Sequence, residues 1–161
     1  TTHNADAVRY FLDHIFDYIL KTNPSVEFHV LGYLSERHRK DFRHPNVRVV
    51  GGIKNLHKAL GCYRLFVCPL TYGAGMKGKI GDAMIAGTPV VTTSLGAEGF
   101  PVKDGNELFI ADCPEEFAEK SSQCLNDPIT WHHFSLKSKL MIAENYSSWV
   151  VARQLGAILS P

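Results

Sequence analysis

From Leu65 to Val91 the sequence reads LFVCPLTYGAGMKGKIGDAMIAGTPVV. An apolar run leads into a glycine-rich turn, a segment with helical spacing follows, and a second apolar run closes the stretch. A strand, a helix and a strand in that order make a crossover, and crossovers join parallel strands. The same alternation runs through the rest of the chain. VEFHVLG from Val26, VRVVGG from Val47, RLFVCPL from Arg64, TPVVTT from Thr88 and ELFIA from Glu107 read as strands. Between them, SERHRKDF with Ser35 as a cap, NLHKALGCY, and the segment from Lys77 to Ala86 read as helices. The loop GAEGFPVKDGN precedes the last strand. Three helical segments then follow, Pro114 to Asn126, Pro128 to Asn145 and Ser147 to Leu159. At the start, Val8, Phe11, Leu12, Ile15, Phe16, Ile19 and Leu20 share one helical face, with Thr2 or Asn4 as cap and Pro24 as terminator. Most strands are continuously apolar, so both their faces are buried. The expectation is an α/β domain: a doubly wound, mostly parallel, Rossmann-like sheet with helices on both faces.

A chain of 161 residues fits one domain with a sizeable core. Its formal net charge of +1 argues against binding nucleic acid or a membrane surface by bulk charge. No apolar run reaches the ~18 residues of a membrane span, and TTHNADAVRYF carries no signal-peptide pattern. Cys62, Cys68, Cys113 and Cys124 show no C-x-x-C spacing. They read as buried free thiols, hence a reducing, cytoplasmic compartment. The sequence lacks an initiator methionine and opens almost directly on a helix, which reads as a piece of a longer chain.

Glycines and polar turns close each strand, at Gly32, Gly51-Gly52, Thr71 to Gly75 and Thr93 to Gly96. In parallel sheets ligands bind at the carboxyl ends of strands, so these turns gather on the binding edge. Gly73 to Lys79 reads G-A-G-M-K-G-K, the spacing of a phosphate loop. In nucleotide hydrolases the next residue is a Ser or Thr that holds Mg2+. Here it is Ile80, although Asp112 at the end of ELFIAD would suit the second metal-holding position. A different anion site follows from the same physics. Gly73, Gly75 and Gly78 let backbone N–H groups approach a ligand, the helix start adds partial positive charge, and Lys77 and Lys79 add full charge. That suits a diphosphate without a metal. Asp82, slightly deeper, suits a sugar diol, since a carboxylate accepts from two hydroxyls at once. Diphosphate and ribose together describe a nucleotide-sugar. The plainer alternatives are a tight turn at the glycines, solvated lysines, and an Asp82 that complements the helix dipole.

PLTYGAGMKGKIGDAMIAGTPVVTTSLGAEGF resembles the donor-binding signature of GT-B fold glycosyltransferases, in the large group-1 family that includes many retaining enzymes. The shared features are a proline-containing strand, a Y-G-x-G-x-K-x-K loop, an acidic-Ala-Met helix, G-x-P-V-V and G-x-E-G. The flanks, THNADAVRYF, FHVLGY and VRVVGGIKNLHKALGCYRLFVCPL, fall where the family has its neighbouring elements. The resemblance implies that residues 1–161 are the carboxy-terminal, nucleotide-sugar donor-binding half of such an enzyme. The family's first strand and its acceptor-binding amino-terminal domain are absent. It implies a UDP- or GDP-type sugar donor, no metal or other cofactor, and metal-independent transfer of a hexosyl or related group to a glycan, lipid or protein acceptor. It also implies that this half alone is inactive. Gly52, Ile53 and Lys54 correspond to the stretch that flanks the base, or else form only a turn. Tyr72 contacts the donor or packs at a strand end; Glu98 touches the sugar or caps a turn. Much of the wider group has two glutamates here. Their places are taken by Ala74 and by Asp82, which leaves the sugar's identity open. No catalytic residue is assigned.

The eight histidines are scattered, and neither H-x-x-x-H nor D-x-D occurs, so no metal site is expected. No G-x-S-x-G elbow supports a hydrolase triad. Trp131 and Trp149 read as packing residues. Two other functions fit the same residues, a non-catalytic nucleotide-sugar-binding module and a nucleoside-diphosphate-sugar epimerase-like enzyme.

Overall fold

A computed structural model describes residues 2–159. The helices are α1 (Thr2–His14), α2 (Phe16–Thr22), α3 (Glu36–Asp41), α4 (Leu56–Leu60), α5 (Gly78–Ala86), α6 (Ser94–Ala97), α7 (Pro114–Asn126), α8 (Pro128–Tyr146) and α9 (Ser148–Leu159). The strands are β1 (Phe28–Leu31), β2 (Val47–Gly51), β3 (Phe66–Cys68), β4 (Val90–Thr92) and β5 (Phe109–Ile110). Every pairing is parallel. In register, Phe66 lies opposite Val90 and Cys68 opposite Thr92. Thr92 in turn lies opposite Ile110.

Alternation along β4 shows why the architecture is doubly wound. Val90, Val91 and Thr92 are all fully buried, and successive side chains leave a strand on opposite faces. Val91 joins a core built on Phe11, Phe16, Phe117 and Phe134, from α1, α2, α7 and α8. Val90 joins a second core built on Ile80, Met84 and Met141, from α5 and α8. The expected parallel α/β fold with helices on both faces is present.

Several details differ from the expectation. The strands form two ladders, β1–β2 and β3–β4–β5, rather than one sheet. The Phe28 N–H donates to Asn46, just before β2, at 2.8 Å, and the Gly32 N–H donates to Gly51 of β2 at 2.7 Å. Strand alternation turns those of His29 and Leu31 the other way, where β1 has no ladder partner among the described residues. The first helix is interrupted at Ile15, whose N–H still reaches Phe11 while its carbonyl accepts from Tyr18 at 3.0 Å, one residue early. The bend keeps the apolar face continuous, since Ile15, Phe16 and Ile19 are all buried. α6 opens at Ser94 and takes in the first two residues of the GAEGFPVKDGN loop. Cys68 and Cys124 are buried free thiols, but Cys62 and Cys113 are free and exposed. Burial pushes the Cys124 thiol up to about 12. Trp131 packs as expected, its indole N–H donating to the Arg64 carbonyl at 2.7 Å. Trp149 does not: its ring is 67% exposed, covered on one side by the Arg153 guanidinium.

Candidate functional site

The glycine loop leaves β3 at the carboxyl edge of its sheet, and three buried threonines of the GTPVVTT run set where it starts. Thr88 donates to the Leu60 carbonyl at the end of α4, at 2.8 Å. Thr92 donates to Cys68 at 2.9 Å and Thr93 to Leu70 at 2.7 Å. Hydroxyls with buried carbonyl partners hold both ends of the crossover in fixed register. Beyond Leu70 the backbone turns through Gly73 (φ 121°) and Gly75 (φ 77°), a region that L side chains avoid. α5 then begins at Gly78 with no side chain capping it. A helix start leaves N–H groups without helical partners, and these and the helix dipole favour an anion; the Ile80 N–H is already taken by the Lys77 carbonyl at 2.8 Å.

An open cleft of about 350 Å³ lies here. Six of the expected site residues line it, Tyr72, Gly73, Ala74, Lys77, Gly78 and Lys79, together with Asn4 and Leu70. A larger groove of about 460 Å³ lies along Phe42 to Val49. The loop that opens it enters β2 at the amino edge, and it has neither glycines nor a helix start, so the cleft at Lys79 is the better candidate.

Each lysine has a different setting. Lys77 is largely buried, donates to the Gly75 carbonyl, and lies 3.7 Å from the Glu98 carboxylate. It braces the loop from within. Lys79 donates to the side-chain oxygen of Asn4 in the first turn of α1, a neutral acceptor that a phosphate oxygen outbids in strength. Tyr72 donates to the Asp6 carboxylate, which pushes its phenol above the usual range. Asp6 also pairs with Arg9 at 2.9 Å. The first turns of α1 therefore form one wall of the site. The sequence marks Asn4 only as a possible cap and Asp6 not at all; nothing local in TTHNADAVRYF signals contact with a loop some 70 residues away.

Asp82 lies beyond the first turn of α5, where the dipole's pull is already weak. Its Oδ1 accepts from Nε2 of His57 on α4 at 2.9 Å. His57 was missed in the sequence because it sits in a different crossover. Gly52, Ile53 and Lys54 form the turn between β2 and α4 and do not line the cleft. The Tyr33 ring covers Gly52 so closely that a Cβ there would lie 2.5 Å from it. Glu98 is 53% exposed and closes α6.

The two residues that would make this a metal-dependent phosphate loop are engaged elsewhere. Ile80 is fully buried in the core. Asp112 caps α6, accepting from the Ser94 N–H at 2.8 Å and the Ser94 hydroxyl at 2.6 Å. Among the described residues no group of three His, Cys, Asp or Glu side chains is placed to hold a metal ion.

A parallel α/β domain whose uncapped helix and glycine loop meet at the sheet's carboxyl edge is of the doubly wound class, in which ligands sit at that edge. Residues 1–127 match the family described as Glycosyl transferases group 1, and the chain belongs to that family. An uncharacterised 44.6 kDa protein of the Klebsiella pneumoniae cps region is 26% identical over 155 residues, 91% of this chain and 40% of its own length. Among solved structures, a mutant of S. aureus TarM in complex with fondaparinux, alpha-GlcNAc-glycerol and UDP superposes with TM-score 0.79 at 22% identity, over 99% of this chain and 34% of its own. Anabaena HepE with UDP-glucose gives 0.77 at 17%, over 91% and 44%. The C-terminal domain of the group 1 glycosyl transferase LpcC from Francisella tularensis gives 0.67 at 12%, over 92% and 82%. These likenesses show the fold. The chain spans about two fifths of the curated relative, but most of the isolated LpcC domain.

Proposed function

We propose that residues 1–161 form the donor half of a group 1 glycosyltransferase and bind a nucleoside-diphosphate sugar without a metal. The observation that carries this reading is the uncapped start of α5 beside Lys79, whose ammonium donates, among the described residues, to the neutral side chain of Asn4. The diphosphate occupies the cleft at Gly73, Lys77, Gly78 and Lys79, with Gly75 shaping the turn beside it. The ribose diol meets Asp82, and the base lies toward Gly52, Ile53 and Lys54. The sugar extends toward Tyr72, Ala74 and Glu98. As the bond to the sugar breaks, negative charge grows on the departing diphosphate. Preformed N–H groups and an ammonium placed where charge develops stabilise that state more than the ground state. The acceptor, a glycan, lipid or protein, is presented by a second domain, so the domain by itself transfers nothing. No described helix is long and apolar enough to cross a membrane; on its free thiols we place the enzyme in the cytoplasm.

UDP is the first probe, because UDP or UDP-glucose occupies TarM and HepE, with GDP as its comparison. Calorimetry is expected to give equal affinity for the preferred nucleotide in EDTA and in Mg2+. Binding that appears only with Mg2+ overturns the proposal.

A further inference from the structure

We infer that His57 is a positioning residue for ribose recognition, holding the Asp82 carboxylate in the orientation that a nucleoside diphosphate's diol meets. This rests on the donor-site reading above. Asp82 stands on a half-exposed face of α5, where a short carboxylate otherwise samples several rotamers. Among the described residues His57 is its hydrogen-bond partner, with Nε2–H donating to Oδ1 at 2.9 Å. Oδ2 is left to accept from a ribose hydroxyl, as is the second lone pair of Oδ1. A group already fixed in its binding geometry loses less freedom when ligand arrives.

His57 is itself held in place. Asn55 caps α4, accepting from the Lys58 N–H at 3.0 Å. The His57 carbonyl accepts from the Gly61 N–H at 3.0 Å, and the helix ends at Leu60, whose carbonyl is pinned by buried Thr88. The turn that begins α4 is Gly52 to Lys54, the stretch assigned to the base. One short helix thus joins the base-side turn to the ribose carboxylate. A solvent-exposed polar contact contributes little to folding, so stability alone gives this contact little purpose.

The test titrates UDP and inorganic pyrophosphate, which has no ribose, against the chain and its variants in metal-free buffer. His57→Ala is expected to weaken UDP roughly 3- to 10-fold and leave pyrophosphate unchanged. His57→Gln, which keeps an N–H donor, is expected to restore most of the loss. His57→Ala added to Asp82→Asn is expected to cost nothing further, because the two act as one unit. Unchanged UDP binding in His57→Ala, with Asp82→Asn weakened, overturns the positioning role alone. Equal loss of UDP and pyrophosphate in His57→Ala overturns it too. Unchanged UDP binding in Asp82→Asn overturns the ribose assignment beneath it. Thermal melts accompany each variant; if His57→Ala does not fold, His57→Leu, which fills the space without a donor, takes its place.

Discussion

Lys77 and Lys79 look alike in sequence, and the structure separates them. Lys77 is 10% exposed and spends its ammonium on the loop's own Gly75 carbonyl. Lys79 holds an acceptor from another element, which under the proposed function it exchanges for a phosphate oxygen. Lys79→Ala therefore removes a charge-assisted contact worth about 1.5–3 kcal/mol, weakening UDP roughly 10- to 150-fold by calorimetry. Its melting temperature is expected to stay within a few degrees of the parent, because Lys79 packs little. An unchanged dissociation constant would reduce Lys79 to a surface charge. Lys77→Ala is the less clean variant, since it also loosens the turn. Residue types and their spacing were enough to nominate both lysines, the glycines and Asp82. His57, Asn4 and Asp6 were not legible, because each acts through a partner 25 or more positions away. Spacing along a chain carries no signal of that kind.

At the scale of elements, α7 is fastened to β5 by Lys120. Its ammonium meets Asp104 at 2.8 Å, Glu116 at 2.7 Å and the Ile110 carbonyl at 2.6 Å. Burial opposes ionisation of Asp104. The hydrogen bonds from Lys120 and from the Ile110 N–H outweigh it and hold the carboxyl below the usual range. Burial likewise disfavours the charged Lys120, and its two carboxylates more than compensate. A carboxylate with a lowered folded pKa adds stability above its unfolded value, about 3.9, and that stability is lost as pH falls through the folded value. Asp104→Asn is thus expected to cost about 1 kcal/mol near pH 7, the pair being partly exposed. The difference from the parent shrinks as pH drops below about 4. Urea unfolding at pH 7 and pH 3 measures both, and an equal deficit at the two values would assign the effect to packing rather than charge. Helices α5, α7 and α8 were legible because their ends are marked, α7 and α8 by a proline at the first position and α5 by a glycine after the last. α6 was not. It has four residues including Gly96, and its start is held by Thr93 and by Asp112 from beyond the next strand.

Across the whole molecule, the two ladders leave β1 and β3 each with one edge unpaired among the described residues. Pro89 accepts from the Phe66 N–H, so Val67 turns its own N–H away from β4, as His29 and Leu31 turn theirs away from β2. Hydrogen exchange on the isolated chain is expected to run at least tenfold faster at His29, Leu31 and Val67 than at Val91, which is flanked by strands on both sides. Equal protection at all four amides would mean that these edges are covered in solution. The same architecture brings the start of α1 to the carboxyl edge, beside the glycine loop, so the helix forms a wall of the cleft as well as a cover for the core.

Apolar period and glycine placement are local properties, and they dictated a parallel α/β chain, the edge on which its turns gather, and the glycine loop that meets the start of α5 there. The division into two ladders, the partnership of His57 with Asp82, and the contacts of α1 with Lys79 and Tyr72 depend on distances between segments far apart in sequence. Those distances are set when both faces of β4 bury their valines against different helices, and nothing in any single segment encodes them.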